Sequence, residues 1–102
     1  MKDGDNVTIW KFQLVGKESV IPLPADAQFL AVQMQGPDLD QLPMVWFKLM
    51  PPASSSTHLG KLTTRRFRIR ATGENWLQHK ETYLGTFQTH SGNGVWHLFE
   101  LL

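Results

Sequence analysis

Four arginines within six residues are the side chains in this sequence best suited to bind an anion. They are Arg65, Arg66, Arg68 and Arg70, and the chain has no other arginine. A guanidinium group binds carboxylate or phosphate oxygens in a bidentate manner. Because successive side chains of a strand point to opposite faces, the last three form a row on one face. The row predicts a site for phosphates or acidic side chains. The alternative is a solvated face whose arginines pair across strands with Glu81 or Glu100.

Tryptophan is the second residue type that can contribute to binding, since four in 102 residues is many. Trp10 and Trp96 fit core positions in strands. Trp46 shares a strand face with Met44 and Lys48, and Trp76 follows a turn. Tryptophan and methionine are enriched at protein interfaces, although core packing is the simpler explanation for at least two of the four. The predicted binding residues are Arg66, Arg68, Arg70, Trp76, His79 and Trp46.

Catalytic and metal-binding patterns are not found in the sequence. The four histidines have no ligand spacing typical of a metal site; they are His58, His79, His90 and His97. The serines at 54–56 lie in a loop rather than in a Gly-x-Ser-x-Gly turn. There is no cysteine, which excludes disulfides and thiolate chemistry. We therefore expect no catalytic residues, no metal, no cofactor and no enzymatic activity.

Composition and charge place the chain among globular proteins. It is 41% hydrophobic and 19% charged, and its length suits one domain over residues 1–102. Residues 41–80 hold three lysines, four arginines and one acid, a net charge of +6, within a chain of net charge +1. This basic region is centred on one strand, so nucleic acid is not an expected partner. The acidic, polar start and the lack of a run of about 20 apolar residues predict a cytoplasmic protein without membrane contact.

Short strands must position these side chains, because apolar residues alternate along most of the sequence. Alternation places Trp10, Phe12 and Leu14 on a core face, and groups Leu30 with Val32 and Met34. Loop composition marks residues 51–62 as flexible, and at most one helical turn fits 78–81. The predicted strands are 7–15, 19–21 (ended by two prolines), 27–35, 44–50, 64–71, 81–89 and 95–102.

The strands at 44–50 and 95–102 are apolar on both faces. Each is therefore expected at the centre of a sheet or at a subunit interface. Six or seven short strands separated by turns predict an all-β fold, an antiparallel β-sandwich or a small barrel, with little or no helix. The order of the strands does not follow from the pattern.

Several motifs resemble those of a family of small uncharacterised proteins frequent in bacteriophages and prophages. The most specific are Tyr83-Leu84-Gly85-Thr86-Phe87-Gln88 and Val95-Trp96-His97-Leu98-Phe99-Glu100, together with Ile9-Trp10-Lys11-Phe12 and Arg66-Phe67-Arg68-Ile69. The resemblance implies a phage-encoded accessory protein made inside a bacterial host. It implies no activity and no catalytic residues.

These observations favour a non-enzymatic phage accessory protein that binds a host protein or a small anionic ligand and counters a host defence. Assembly as a homo-oligomer, with the terminal strand buried between subunits, is compatible with this function. The alternative is a minor structural or assembly protein of the virion. An enzyme of unknown type is the third hypothesis.

Overall fold

Seven β-strands form the part of the chain that the computed structural model describes, namely residues 7–35, 42–50, 62–89 and 94–102. No helix occurs in these residues, and the all-β prediction is confirmed. Of the predicted loop, residues 51–61 lie outside the described ranges, and Leu62 already begins a strand. The strands are β1 (Thr8–Gln13), β2 (Glu18–Pro24), β3 (Gln28–Gln35), β4 (Leu42–Leu49), β5 (Leu62–Ala71), β6 (Glu81–Gln88) and β7 (Val95–Leu101).

Two antiparallel sheets pack face to face. One has three strands in the order β1-β4-β3, and the other has four in the order β2-β5-β7-β6. The packing is that of a sandwich, so of the two predicted architectures the small barrel is wrong. None of the described residues forms a helix able to cross a membrane.

The two strands with apolar side chains on both faces occupy central positions. Strand β4 lies between β1 and β3, and β7 lies between β5 and β6. Within the sandwich, β4 contributes Val45 and Phe47, and β7 contributes Leu98, all fully buried. The ring of Phe47 lies 5.6 Å from that of Phe67 in β5, which joins the two sheets. Of the two predicted alternatives, a central position in a sheet is the one found for both strands.

Prolines do not end β2, contrary to the prediction of a strand stopped at residue 21. The strand continues through Pro22 and Pro24 and pairs with β5 down to Leu62. Proline lacks only the backbone N–H donor. Because β2 lies at the edge of its sheet, the backbone groups on one side of the strand need no partner. The edge position therefore explains why the two prolines are accommodated.

A register shift in β3 changes which side chains at the start of the strand face the core. The pairing with β4 is irregular between Phe29 and Ala31, so Leu30 is 44% exposed while Phe29 packs on the core. The rings of Phe29 and Phe47 lie 6.1 Å apart between centroids, in an edge-to-face arrangement. Simple alternation had grouped Leu30 with Val32 and Met34, and that grouping was wrong because one extra residue changes the face of all residues before it.

Of the two tryptophans predicted in the core, only one packs against it. Trp96 is half-buried against the core cluster. Trp10 lies on the inner side of β1 opposite Phe47, but β1 is an edge strand and the side chain is 41% exposed. The core prediction was therefore wrong for Trp10, because alternation identifies a face but not how far the facing sheet extends.

Two glycines shape the hairpin formed by β6 and β7. A Cβ at Gly85 would lie 3.2 Å from Cγ1 of Val32, so this residue lets β3 approach β6 closely. A Cβ at Gly94 would lie 2.7 Å from the indole Nε1 of Trp96. The hairpin is closed by the amide of Thr89, which donates to the carbonyl of Gly94 at 2.9 Å. A Cβ at Gly94 would therefore force a neighbouring atom to move, whereas one at Gly85 would need Val32 to shift by only a few tenths of an ångström.

Candidate binding face

The outer side of the four-stranded sheet, which points away from the three-stranded sheet, carries most of the predicted binding residues. We call this surface the arginine face. Strand β5 supplies its central row, since Phe67 and Ile69 point into the core and the intervening arginines point outward. The face comprises Glu18 and Val20 from β2, Arg66, Arg68 and Arg70 from β5, Tyr83 and Thr86 from β6, His97, Phe99 and Leu101 from β7, and Trp76 from the connection after β5.

Two of the arginines share one carboxylate. Nη2 and Nε of Arg66 donate to Oε2 of Glu18 at 2.7 and 3.1 Å, and Nη2 of Arg68 lies 3.4 Å from the other oxygen. The hydrogen bond from Arg66 lowers the pKa of the Glu18 carboxyl, against an opposing effect of desolvation, and the charges of both arginines lower it further. The side chain of Arg66 remains 54% exposed. Two cations on one carboxylate leave this part of the face with a net positive charge.

Arg70 has a different role, because it is only 1% exposed. Its Nη2 donates to Oε1 of Glu81 at 2.9 Å. The guanidinium carbon lies 4.1 Å from the ring centroid of Trp76 and 5.5 Å from that of Phe99, in cation–π contact. Arg70 is therefore enclosed by protein and holds the face together. Pairing with Glu81 was the alternative considered for the row, and it applies to this arginine.

The connection after β5 folds back over Arg70 and places Trp76 there. Gly73 has a φ of 89°, which suits the second central position of a tight turn. Glu74 closes the turn by accepting a hydrogen bond from the amide of Ala71 at 2.9 Å, and this bond lowers the pKa of the Glu74 carboxyl. The indole Nε1 of Trp76 then donates to Oε2 of Glu81 at 3.2 Å. Glu81 thus binds both Arg70 and the tryptophan that covers it.

An aromatic and hydroxyl strip borders the arginines on the β6 side. The ring of Phe99 lies 5.5 Å from Trp76 and 5.6 Å from Tyr83. The imidazole of His97 is held at Nε2 by the hydroxyl of Thr72 at 2.7 Å and at Nδ1 by that of Thr86 at 2.9 Å. Both ring nitrogens are therefore hydrogen-bonded, and the two hydroxyl groups fix the orientation of the imidazole ring on the face.

Arg65 lies on the inner side of β5, between the sheets. Its Nε and Nη2 donate to the two carboxylate oxygens of Glu100 at 2.7 and 2.8 Å, and Nη1 donates to the carbonyl of Ala27 at 2.9 Å. The guanidinium carbon also lies 5.4 Å from the ring centroid of Phe47. This structural role of Arg65 was not predicted from the sequence. The signal was present, since alternation puts Arg65 on the same face as Phe67 and Ile69.

The remaining predicted residues fall in two places. Trp46 is on the outer side of the three-stranded sheet, opposite Lys11 and Ala31, and so on the other side of the sandwich from the arginine face. His79 is exposed near the end of the connection that carries Trp76. The structure thus brings the three arginines and Trp76 together and separates Trp46 from them.

Two concavities lined by described residues lie near the predicted residues, and neither combines depth with positive charge. A depression of about 320 Å³ beside the arginine face is lined by Trp76, Asn75, Gln78 and the carboxylates of Glu74 and Glu81. A cleft of about 380 Å³ between the sheets has mainly apolar walls, formed by Leu14, Met34, Pro43, Ile69, Phe87 and Trp96, with Lys17 at its border. No three histidine or acidic side chains converge within the described ranges in a way that would hold a metal ion.

A family relationship covers nearly all of this architecture. Residues 6–102 match a family described as a domain of unknown function, DUF7352. The chain belongs to this family. No curated protein and no solved structure matches the chain. The expected resemblance to an uncharacterised family is thereby confirmed, and the DUF7352 description brings no activity with it.

Proposed function

We propose that this DUF7352 protein is a non-enzymatic binding protein that docks an acidic protein surface on its arginine face. One observation carries the proposal: exposed Arg66 and half-buried Arg68 share the single carboxylate of Glu18, on a sheet face that no other described strand covers. The pair is held in position by Glu18 and still has donors and positive charge to offer. Exposed Tyr83 and Trp76 border it, and arginine and aromatic side chains are the types enriched at protein interfaces.

A protein partner suits this face better than a small anion. Ligand pockets are concave and bury most of the ligand, whereas the arginines stand on a flat sheet. The depression beside them is lined by the carboxylates of Glu74 and Glu81, which would repel an anion. An acidic protein surface can instead approach the flat face and place several carboxylates along Arg66 and Arg68, with charge attraction raising the association rate.

The biological setting follows from the motifs rather than from the geometry. Resemblance to small phage and prophage proteins supports an accessory protein made in the cytoplasm of a bacterial host. The partner is then a host protein, and binding counters a host process such as defence.

The test compares two pairs of substitutions that each remove two positive charges. In Arg66→Gln/Arg68→Gln the charges are removed from the arginine face. In Lys48→Gln/Lys80→Gln they are removed from positions outside both the arginine face and β1. The tagged proteins are used to capture partners from a host extract, and each captured protein is then purified and titrated.

We expect the arginine pair to weaken binding at least about tenfold, which corresponds to about 1.4 kcal/mol, and the lysine pair to leave it unchanged. Equal affinity for both pairs would contradict the proposal. Titration with inorganic phosphate provides a separate check. Saturable shifts of the Arg66 and Arg68 side-chain resonances at micromolar phosphate would instead favour the small anionic ligand.

A further inference from the structure

Among the described residues, strand β1 forms one edge of the three-stranded sheet. One side of this strand pairs with β4. The amide of Leu14 donates to the carbonyl of Pro43 at 2.9 Å, and hydrogen-bonded positions recur at every second residue of an antiparallel pair. The backbone groups of Phe12, Trp10 and Thr8 therefore also point toward β4, and those of Ile9, Lys11 and Gln13 point away from it. No described residue forms a backbone hydrogen bond with this outer row.

The other three edge strands carry features that block pairing, and β1 does not. Strand β2 contains two prolines, and β3 and β6 each have a register shift, at Phe29/Ala31 and at Tyr83/Gly85. Prolines, bulges and charged side chains are the usual protections of an edge. The one charged side chain of β1 is Lys11, and its ammonium is drawn across the sheet to donate to Oε1 of Gln35 at 2.9 Å.

Apolar side chains are exposed on both sides of this edge. Ile9 on the outer side of the sheet is 59% exposed, Trp10 on the inner side is also exposed, and so is Val7 before the strand. A strand with an open backbone row and exposed apolar side chains on both faces is a template for pairing with another strand.

We propose that β1 pairs with β1 of a second copy, antiparallel, about a two-fold axis at Trp10. The two three-stranded sheets then join into one sheet of six. The outward-pointing residues lie symmetrically about position 10, so Ile9 meets Lys11 of the second copy and the two Trp10 side chains face each other. An axis at Lys11 would instead oppose two ammonium groups, which disfavours it. The central pair is not hydrogen-bonded, and such pairs bring side chains closest together.

The axis at Trp10 makes the second copy the best occupant of this edge. In a two-fold arrangement, the same residues supply both halves of every pair. The two exposed Trp10 indoles then bury each other, whereas an unrelated strand would not provide the matching indole. The terminal strand, first considered as the subunit interface, is internal to its own sheet. Because the arginine face lies on the other sheet, the dimer keeps two copies of that face free for bivalent binding.

The test measures the dimer dissociation constant of the full chain by analytical ultracentrifugation, with two opposite substitutions at one exposed position. Ile9→Lys places a lysine opposite Lys11 of the second copy and is expected to raise the dissociation constant more than tenfold. Ile9→Glu places a carboxylate opposite the same lysine and is expected to keep the dimer. Circular dichroism checks that both variants fold.

Amide hydrogen exchange identifies the surface that the dimer uses. In the dimer, the amides of Ile9 and Lys11 are expected to be protected, and in Ile9→Lys they exchange freely while those of Trp10 and Phe12 stay protected. A wild-type chain that is monomeric at about 100 μM, where a stable interface with submicromolar affinity would be fully formed, overturns the proposal. So does a dimer that Ile9→Lys leaves intact, or protection of Ile9 and Lys11 in a monomer.

Discussion

Replacing Glu81 by glutamine tests how the arginine face is held together. Glu81 accepts hydrogen bonds from Arg70 and from the indole of Trp76, and its side chain is 10% exposed. Arg70 is the only charged side chain among the fully buried ones in the described residues. Glutamine keeps the shape of the side chain but removes the charge, so the guanidinium is left buried with no counterion.

The cost follows from that uncompensated charge. Removing one partner of a buried ion pair costs about 3–5 kcal/mol, whereas the cation–π contact with Trp76 that remains is worth about 0.5–2 kcal/mol. We therefore expect Glu81→Gln to lower the free energy of unfolding by about 3 kcal/mol or more. For a domain of this size, 3 kcal/mol corresponds to a fall in Tm of roughly 12–24 °C. Adding Arg70→Met should recover much of the loss, because the unpaired charge is removed as well.

The assay is urea unfolding followed by far-ultraviolet circular dichroism for wild type, both single variants and the double variant. Glu18→Gln is the matched control, since it removes the same charge from the same face where the ion pair is open to solvent. It should have a much smaller effect. A loss below about 1 kcal/mol for Glu81→Gln, or no recovery in the double variant, would refute the buried position assigned to Arg70.

Three further predictions concern neighbouring parts of the structure. In a carbon-detected NMR titration, the pKa of the Glu18 carboxyl should lie below its ordinary value of 4.5 and should shift back toward that value in Arg66→Gln. The stabilisation that the ionised carboxyl provides is complete above the ordinary value and is lost as the pH falls through the lowered pKa. A titration unchanged by Arg66→Gln would contradict the pairing. Arg65→Lys should lower the free energy of unfolding by about 2–3 kcal/mol, because an ammonium cannot keep both bonds to Glu100, and a thermal melt equal to wild type would argue against the bidentate pair. Gly94→Ala should lower the free energy of unfolding by about 1–3 kcal/mol, because the added methyl group crowds the adjacent indole, and should shift the tryptophan fluorescence emission. Unaltered stability and emission would mean that the hairpin has more room than described.

The sequence allowed the strand content and the two central strands to be predicted, because both depend on local pattern. Alternation marks a strand, and apolar residues on both faces mark one that is covered on both sides, as at β4 and β7. Where one extra residue enters a strand, alternation fails, which is why Leu30 and not Phe29 was assigned to the core side. Nothing in the local pattern identifies such a bulge, since it depends on the partner strand.

The candidate site was predicted only in part for a related reason. Alternation correctly put Arg66, Arg68 and Arg70 on one face, but it cannot show that a later segment covers one of them. Burial of Arg70 depends on the turn at Gly73, which returns Trp76 to the sheet. Separation of Trp46 from the arginines likewise depends on which sheet contains β4. Both are properties of the tertiary fold rather than of the sequence near each residue.

The central claim is that Arg66 and Arg68 bind an acidic protein partner, and one comparison tests it most directly. The measurement is the dissociation constant of the captured partner for Arg66→Gln/Arg68→Gln relative to Lys48→Gln/Lys80→Gln, at low and at high salt. We expect at least about tenfold weaker binding for the arginine pair at low salt, and a smaller difference at high salt because exposed charges are screened. Equal dissociation constants for the two pairs at low salt would contradict it.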